Sequence, residues 1–313
     1  MERQGLSAKA LAYWGGGSGK LSIAPATSAL AVALEALSAR PALMRCRHGG
    51  NADLAELRCF DVGSVSFVID HRQDERSADT ARHAKLHASI LEALGHRLPA
   101  GATVLDFGCG DGAMVAQYRS AGYDAYGCDI VLERETEFLR LIGSPYRLPF
   151  QSSTFDFVFS DQVLEHVNDH AAALSEISRV LKRGGRTLHI FPSKFCVVEP
   201  HTFVPLASVV RSRHWLRLWA VVGIRNRYQK GKDSKEVVEL NHRFLTTGTN
   251  YLSKRQLRRL ATEDFSEVAF VEHLLLQHSY GRSRHLSGLA KRWSFLGRLY
   301  STLHSRVMFC RKT

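Results

Sequence analysis

An acid and three alternating glycines form a pattern suited to binding a nucleotide. The segment VLDFGCGDG ends an apolar run with Asp106 and then places Gly108, Gly110 and Gly112 on alternate positions. A dinucleotide-binding turn needs the spacing G-x-G-x-x-G, so that its third glycine packs helix against strand. The acid would repel a pyrophosphate and favours a ligand with positive charge near the loop. S-adenosylmethionine carries an ammonium and a sulfonium and no phosphate, and the glycines allow close approach of the backbone.

A second acid lies where the next strand is predicted to end. Asp129 in AYGCDI follows Asp106 by 23 residues, and Ile130 comes directly after it. A carboxylate at this point can accept hydrogen bonds from both ribose hydroxyls, while Ile130 would pack on the adenine. The two acids together predict a site for S-adenosylmethionine, with S-adenosylhomocysteine as the product.

These residues lie within an alternation of strand and helix patterns that is typical of a parallel sheet covered by helices. The predicted strands are TVLDFGC, DAYGCDI, a weak one near FLRLIGS, FDFVFSDQ, RTLHIFP, SEVAFVEHLL and RVMFCRK. The predicted helices are SADTARHAKLHASILEAL, AMVAQYRSAG, ERETEFLRL, AAALSEISRVLKRGG and SKRQLRRLATE. We predict an N-terminal extension of unclear role over residues 1–75. One domain follows over 76–313, with a basic insertion or cap at about 194–250.

Four ordered motifs resemble those of class I S-adenosylmethionine-dependent methyltransferases, and they are most similar to the ubiquinone/menaquinone-biosynthesis type. The motifs are VLDFGCGDG, GCDI, LPFQSSTFDFVFSDQVLEHV and LSEISRVLKRGGRTLHIFPS, and together they cover roughly residues 80–193. The resemblance implies an α/β, Rossmann-like fold. Its seven-stranded, mostly parallel sheet has the order 3-2-1-4-5-7-6, helices on both faces, and RVMFCRK as the antiparallel strand 7.

The resemblance also implies which residues contact the cofactor. Asp129 would hold the ribose. The residues that would border the methionine part are Asp106, Gly108, Cys109 and Gly110. The positions that would contact the adenine or the methyl-transfer point are Ser144, Pro145, Tyr146, Asp161 and Gln162. The family usually has an acid where Ser144 stands, so the contact with the adenine amino group is weaker here or made by the backbone.

Candidate groups for proton transfer follow the fourth strand. Methyl transfer needs alignment of nucleophile, carbon and sulfur, and a base helps when the nucleophile is a hydroxyl. Asp161, Glu165 and His166 are the candidates there. Some similar quinone O-methyltransferases bind a metal through a Glu-x-x-Glu-His run at this point. Gln162 replaces the first Glu, so we predict no metal; we expect Glu165 to be a structural helix cap, and leave His166 open between a catalytic and a structural role.

A second group of candidates follows the fifth strand in FPSKFCVVEPHTFVPL. Glu199 and His201 are expected to face the cleft. The runs EPHTFVPL and TNYLSKRQLRRL are similar to methyltransferases found with polysaccharide and cell-envelope glycan synthesis. That similarity implies His201 as a general base on a sugar hydroxyl. The alternative is a histidine that caps a turn after Pro200.

The charge is concentrated in the C-terminal part. The chain has 313 residues and a net charge of +12, and from Lys194 onward 22 Lys and Arg stand against 8 Asp and Glu. This asymmetry suits an anionic partner, which would be a phosphate-bearing substrate, an acidic membrane surface or nucleic acid. The alternative is a solvated basic face without a partner. The run VVRSRHWLRLWAVVGIRNR fits either a helix on an anionic membrane or a cap helix packed on the sheet.

The remaining features set the cellular context and the acceptor class. No stretch has the length of a membrane span, no secretory signal is evident, and the six cysteines form no C-x-x-C pair. We expect a cytoplasmic protein, or one peripheral to the inner face of the membrane. The acceptor would be a glycan or lipid-linked intermediate; the alternative is a soluble small molecule of quinone or natural-product type.

Two further functional classes are less favoured. The fourth strand ends in SDQV rather than in an Asn/Asp-Pro-Pro-aromatic box, and the chain has no Pro-Cys nucleophile. An RNA methyltransferase is therefore a less favoured alternative, although these absences leave ribose methylation open, and nucleic acid is not expected as the partner. A cofactor-binding module without activity is disfavoured by the intact glycine loop.

Overall fold

The computed structural model describes residues 79–143, 146–278 and 302–313. The predicted N-terminal extension over residues 1–75 lies outside the described residues, as do Ser144 and Pro145.

A seven-stranded sheet with the order β3-β2-β1-β4-β5-β7-β6 forms the centre of the molecule. Strands β1 to β5 pair in parallel, and β7 pairs antiparallel to both β5 and β6. This confirms the order and the strand direction expected from the sequence. The strands are β1 Thr103–Phe107, β2 Asp124–Asp129, β3 Leu139–Leu141, β4 Phe155–Asp161, β5 Leu181–Pro192, β6 Glu267–Phe270 and β7 Ser305–Arg311.

Helices connect these strands and cover both faces of the sheet. The first described helix, α1, covers residues 79–93. The other α-helices are α2 Ala113–Ser120, α3 His170–Val180, α4 Arg213–Val222, α5 Ser234–Thr247, α6 Lys254–Asp264 and α7 Glu272–His278. Short 3₁₀-helices cover Leu164–His166 and Arg227–Gln229. Among the described residues, none of the helices combines the length and the apolar composition needed to cross a membrane.

The helix predicted from ERETEFLRL is wrong. The chain runs irregularly before β3, and side chains bond its backbone amides. The Thr136 hydroxyl accepts from the Leu139 amide at 3.0 Å, and Glu135 Oε1 accepts from the Leu141 amide at 2.8 Å. Such local acceptors compete with the helical hydrogen bonds that the same amides would otherwise make.

Two hydrophobic clusters cover the opposite faces of the sheet, as expected for parallel strands buried on both sides. One cluster joins α3 and α6 to the sheet, and its members include Leu174, Ile177, Leu257 and Ala261. The other joins α1, α2 and α7 to the opposite face, and its members include Ile90, Val115, Leu275 and Phe309. The strand ends, where the candidate site residues lie, are therefore fixed by packing from both sides.

A separate cap lies between β5 and α6. Its helices α4 and α5 pack on one another around a third hydrophobic cluster, which includes Leu216, Ala220, Val237 and Leu245. Asn250, after α5, anchors the cap to the segment that follows β4. Its backbone amide donates to the Glu165 carbonyl at 2.7 Å, and its side chain donates to the carbonyls of Val167 and Asn168.

Candidate active site

The glycine loop between β1 and α2 has one open position. The three glycines have φ angles of +84° at Gly108, +54° at Gly110 and +78° at Gly112, which side chains rarely adopt. A Cβ on Gly108 would lie 2.4 Å from Val163 Cγ2, and one on Gly112 would lie 2.8 Å from Leu139 Cδ1. Among the residues that the structure describes, a Cβ on Gly110 would meet no atom within 4 Å. Gly108 and Gly112 are thus required by packing, whereas Gly110 borders open space.

Asp129 connects the end of β2 to this open position. It is half-buried, and its Oδ2 accepts from the Gly110 amide at 2.8 Å while its Oδ1 accepts from the Val131 amide at 3.2 Å. A carboxylate has about four acceptor sites, so each oxygen keeps one for a further donor. The arrangement fits the two hydroxyls of a ribose beside Gly110. Ile130 is 43% exposed next to it and is available to an adenine.

Three other residues predicted to contact the cofactor have side chains that are buried or hydrogen-bonded within the protein. Asp106 is buried and is the penultimate residue of β1, with Phe107 between it and the glycine loop. The Cys109 side chain is fully buried and packs against Gly127, where a Cβ would lie 2.7 Å from its Sγ. Only the backbone of Cys109 is therefore left to border a ligand. The Tyr146 hydroxyl accepts from the Asn168 amide at 2.8 Å.

Asp161 is the last residue of β4 rather than a residue after it. It is 5% exposed, and its carboxylate accepts from His87 Nε2 at 3.1 Å and lies 3.4 Å from His83 Nδ1. Burial acts to raise the pKa of Asp161, but the charge and hydrogen bonds of the two histidines outweigh it and hold the pKa well below its usual range. A carboxylate held in this way is a weak base. Asp161 therefore fits an anchor for α1 better than a proton acceptor.

His83 and His87 were missed by the sequence analysis. They lie four residues apart on α1, which places them on one face of that helix. His87 is fully buried and also bonds the Tyr118 hydroxyl through Nδ1 at 3.1 Å. The spacing was available in SADTARHAKLHASILEAL, but nothing in it indicated that the face meets the end of β4.

Gln162 follows β4 in a strained conformation. Its φ is +57°, which is uncommon for a residue other than glycine. Its amide donates to the Ile190 carbonyl at 2.8 Å, so the backbone turns sharply while remaining bonded to β5. The turn carries the chain directly into the 3₁₀-helix that holds Glu165 and His166.

Three side chains converge beyond this turn, and we call Glu165, His166 and His201 the Glu-His-His cluster. One ligand atom from each lies within 4.8 Å of the others. The two Nε2 atoms of the histidines are 3.2 Å apart, and Glu165 Oε1 is 3.9 Å from His166 Nε2. The side chains of His166 and His201 are 21% and 22% exposed. The structure thus brings together two predicted residues that are far apart in the sequence.

Glu199 does not face the cleft, contrary to the expectation from the sequence. It is fully buried, and its carboxylate accepts from His201 Nδ1 at 2.7 Å, the Tyr251 hydroxyl at 2.8 Å, and the amide and hydroxyl of Thr202 at 2.7 and 2.8 Å. Burial would raise the pKa of Glu199, but the charge of His201 and these hydrogen bonds lower it to about 2. Glu199 is therefore an anion that orients His201. Tyr251 lies in the run TNYLSKRQLRRL, but nothing in that run indicated that its hydroxyl bonds Glu199.

The two histidines of the cluster have different preferred protonation states. His166 Nδ1 lies 2.7 Å from the Gly248 carbonyl, which only accepts, so Nδ1 carries the proton and Nε2 a lone pair. Burial and the positive charge of His201 lower the pKa of His166 to about 4. For His201, burial lowers the pKa, but the Glu199 carboxylate outweighs it and the pKa is raised. The predicted base, His201, thus holds its proton more tightly than an ordinary histidine.

Glu165 is not the helix cap that the sequence suggested. The 3₁₀-helix begins after Val163 without a side-chain cap bond. Glu165 is 1% exposed, and neither of its carboxylate oxygens has a hydrogen-bond partner among the described residues. Burial raises the pKa of this carboxyl to about 7. His201, likewise, does not cap a turn through its ring, because both ring nitrogens are engaged by Glu199 and His166.

Comparison with protein families identifies the segment around the glycine loop. Residues 105–189 match the family model described as a methyltransferase domain. Demethylmenaquinone methyltransferase of Beutenbergia cavernae is 37% identical over 105 residues, which are 31% of this chain and 43% of that protein. Malonyl-[acyl-carrier protein] O-methyltransferase of Pseudescherichia vulneris is 32% identical over 114 residues, 33% of this chain and 45% of that protein.

Other relatives extend the comparison. An uncharacterized 37.1 kDa protein in transposon TN4556 of Streptomyces fradiae is 36% identical over 142 residues, 41% of this chain and 40% of that protein. The chain therefore spans less than half the length of these curated relatives. Among solved structures, the PH0226 protein of Pyrococcus horikoshii is similar with a TM-score of 0.41 at 17% identity, covering 74% of this chain and 91% of that one.

Proposed function

Because the chain carries a class I S-adenosylmethionine-dependent methyltransferase domain, we propose that the whole protein methylates a hydroxyl oxygen of a glycan or lipid-linked intermediate. The observation that carries the proposal is the position of the Glu-His-His cluster. It follows the carboxyl end of β4, and β4 is the parallel neighbour of β1, whose carboxyl end carries the glycine loop. Ligands of open α/β sheets bind at this edge.

The chemistry of the cluster fits a hydroxyl acceptor. Bound S-adenosylmethionine supplies a methyl group that its sulfonium has already activated. The chain must then align the acceptor oxygen and remove its proton, because a neutral hydroxyl is a poor nucleophile. The side chains of His166 and His201 are partly exposed at that point, and the Glu165 carboxylate lies beside them. These three groups can accept a proton or stabilise a charge there. Asp129 and the Gly110 backbone would hold the adenosyl part.

Substitutions at Gly110 and Gly108 distinguish an effect on cofactor binding from an effect on folding. We expect Gly110→Ala to remain folded with a melting temperature only a few degrees lower, because its Cβ would meet no atom of the described residues within 4 Å and the positive φ alone costs about 1 kcal/mol. Its affinity for S-adenosylmethionine should fall by about tenfold or more, because the methyl group fills the open position. Calorimetric titration and thermal melting measure the two effects.

Gly108→Ala is the matched comparison for that experiment. Its Cβ would overlap the Val163 side chain at 2.4 Å, so it should lower the melting temperature, and Val163→Ala should restore part of the loss. Unchanged cofactor affinity in a folded Gly110→Ala would place the ligand away from this loop.

The cap supports an acceptor that is linked to an anionic lipid. Helix α4 packs Leu216 and Ala220 into the cap, as in the packed alternative that the sequence left open, so this side of the helix is not available to a membrane. The opposite side of α4, which we call the α4 outer face, remains exposed and consists of His214, Arg217, Leu218, Val221 and Val222. Over residues 194–250 the sequence has ten Lys and Arg against four Asp and Glu. An apolar stripe with flanking cations suits the headgroup region of an anionic membrane.

Vesicle binding tests this part of the proposal. The wild type is expected to cosediment with vesicles that contain phosphatidylglycerol and much less with pure phosphatidylcholine. The double variant Leu218→Glu/Val221→Glu should bind the anionic vesicles about tenfold more weakly or less, because two apolar contacts are replaced by repelled charges. Leu141→Glu, which changes a similarly exposed leucine on β3, is the control and should bind as the wild type does.

Equal sedimentation of the double variant and the wild type would favour the second candidate, a soluble small-molecule acceptor. The demethylmenaquinone methyltransferase among the relatives is the observation that supports that candidate.

Product analysis tests the proposed reaction itself. Protein incubated with radiolabelled S-adenosylmethionine and a lipid-linked glycan extract is expected to transfer label to an organic-phase product. The product should gain the mass of one methylene group and keep its label in mild alkali, because an ether resists the hydrolysis that cleaves an ester. Label found in an alkali-labile ester or on nitrogen would contradict the proposal.

A further inference from the structure

The two histidines of the Glu-His-His cluster are held in the geometry of metal ligands. His166 uses Nδ1 to bond the Gly248 carbonyl at 2.7 Å, and His201 uses Nδ1 to bond Glu199 at 2.7 Å. Both rings therefore direct Nε2 toward the same point. Metal-binding histidines in proteins almost always have their second nitrogen fixed by a carbonyl or a carboxylate in this way.

The groups at this point can bind a cation. Two imidazole Nε2 atoms lie 3.2 Å apart, a separation that either a proton on His201 or a metal ion bound by both nitrogens can bridge. Glu165 adds a carboxylate that is 1% exposed and has no hydrogen-bond partner among the described residues. A buried carboxylate without a partner is costly. A divalent cation among the three groups would satisfy both nitrogens and the carboxylate together.

The distances suit a tetrahedral transition metal. Zinc binds histidine nitrogen at about 2.0–2.1 Å, which places two such nitrogens about 3.3 Å apart in a tetrahedral site. The observed separation is 3.2 Å, and Glu165 Oε1 lies 3.9 Å from His166 Nε2, with one ligand atom of each of the three residues within 4.8 Å of the others. Two histidines and one glutamate leave a fourth position open, as catalytic zinc sites do. Magnesium prefers oxygen ligands and fits this set less well.

We propose that Glu165, His166 and His201 bind one divalent transition-metal ion of the zinc type, whose open position receives the acceptor hydroxyl. His201 comes from the segment after β5, so this ligand set does not need an acid at Gln162 and revises the expectation that no metal binds. The catalytic role of this metal ion rests on the proposed function. The bound hydroxyl loses its proton to solvent, an oxygen–carbon bond forms as the carbon–sulfur bond of the donor breaks, and the alkoxide and sulfonium charges cancel.

Metal content and Co²⁺ spectra test the site without reference to activity. The full chain, stripped with a chelator and reloaded with Zn²⁺ or Co²⁺, is expected to retain one metal per chain after dialysis, with visible Co²⁺ bands typical of tetrahedral coordination. His201→Gln and Glu165→Gln should lose the metal and the bands. His214→Gln, an exposed histidine on the α4 outer face, should keep both, and thermal melting checks that each variant is folded.

The possible results separate this proposal from the proposed function. Failure of the folded wild type to retain Zn²⁺ or Co²⁺ would overturn the metal site and leave a shared proton between the histidines. Hydroxyl methylation that persists in metal-free protein would also overturn it, while the proposed function stands. Retention of metal that is lost in both cluster variants would support the site even if no hydroxyl acceptor were methylated, in which case the proposed function alone would fail.

Discussion

Asp129→Ala is expected to weaken S-adenosylmethionine binding by about 10²-fold or more while the protein remains folded. The carboxylate can accept both ribose hydroxyls, and a hydrogen bond to a charged group contributes about 1.5–3 kcal/mol, so losing two costs about 3–6 kcal/mol. The variant also releases the Gly110 and Val131 amides, which Asp129 holds at 2.8 and 3.2 Å. The loop would then lose the conformation that the ligand meets.

Calorimetric titration with S-adenosylmethionine and S-adenosylhomocysteine measures this effect. Asp124→Ala is the matched control, because Asp124 begins the same strand and bonds Arg119 at 3.3 Å, away from the loop. It should bind both ligands as the wild type does. Wild-type affinity in Asp129→Ala would mean that the ribose is held elsewhere, and absence of binding by the folded wild type would contradict the cofactor assignment.

The cofactor side of the site could be predicted from sequence because its signals are local. Buried parallel strands show as short apolar runs, and the acids that end β1 and β2 lie directly in those runs. The glycine spacing follows from packing, since Gly108 and Gly112 leave no room for a Cβ. The sheet order came from the resemblance rather than from the residues, because spacing alone does not fix which strand pairs with which.

The acceptor side could be predicted only as separate candidates. His166 and His201 are 35 residues apart, and Tyr251 lies a further distance along the chain, 52 residues from the Glu199 that it bonds. No periodicity relates positions on a 3₁₀-helix, a loop after β5 and the loop between α5 and α6. Their convergence depends on how the cap docks on the sheet, which the Asn250 hydrogen bonds fix. Burial of Glu199 and the contact between the two Nε2 atoms are consequences of that docking.

Local sequence patterns also failed where side chains compete with the backbone. ERETEFLRL has the composition of a helix, yet Thr136 and Glu135 bond backbone amides and hold an irregular segment before β3. A different cause ends the predicted helix AAALSEISRVLKRGG at Val180, where β5 begins at Leu181. There, pairing of Leu181 with Phe155 of β4 prevails over helix propensity.

Glu199→Gln is expected to reduce methyl transfer by about 10²-fold or more and to leave the affinity for S-adenosylmethionine unchanged. The carboxylate fixes His201 through Nδ1 at 2.7 Å and stabilises a positive or metal-bound ring. An amide is neutral, and its NH₂ group would face the Thr202, Tyr251 or His201 donors that the carboxylate accepts from. Loss of an orienting acid behind a histidine lowers rates by about 10⁴-fold in the best-known case and metal affinity by about 10–100-fold.

Steady-state kinetics with S-adenosylmethionine and the acceptor measure this effect. The loss is expected in kcat, with the KM for S-adenosylmethionine unchanged, because Glu199 is fully buried and bonds His201 rather than the cofactor loop. Tyr251→Phe is the graded control: it removes one hydrogen bond to Glu199, at 2.8 Å, but keeps the anion, so the rate should fall by about tenfold or less. Equal losses in both variants, accompanied by lower melting temperatures, would make Glu199 structural. A folded Glu199→Gln with the wild-type rate would remove His201 from the reaction, because its orientation and its charge both depend on this carboxylate.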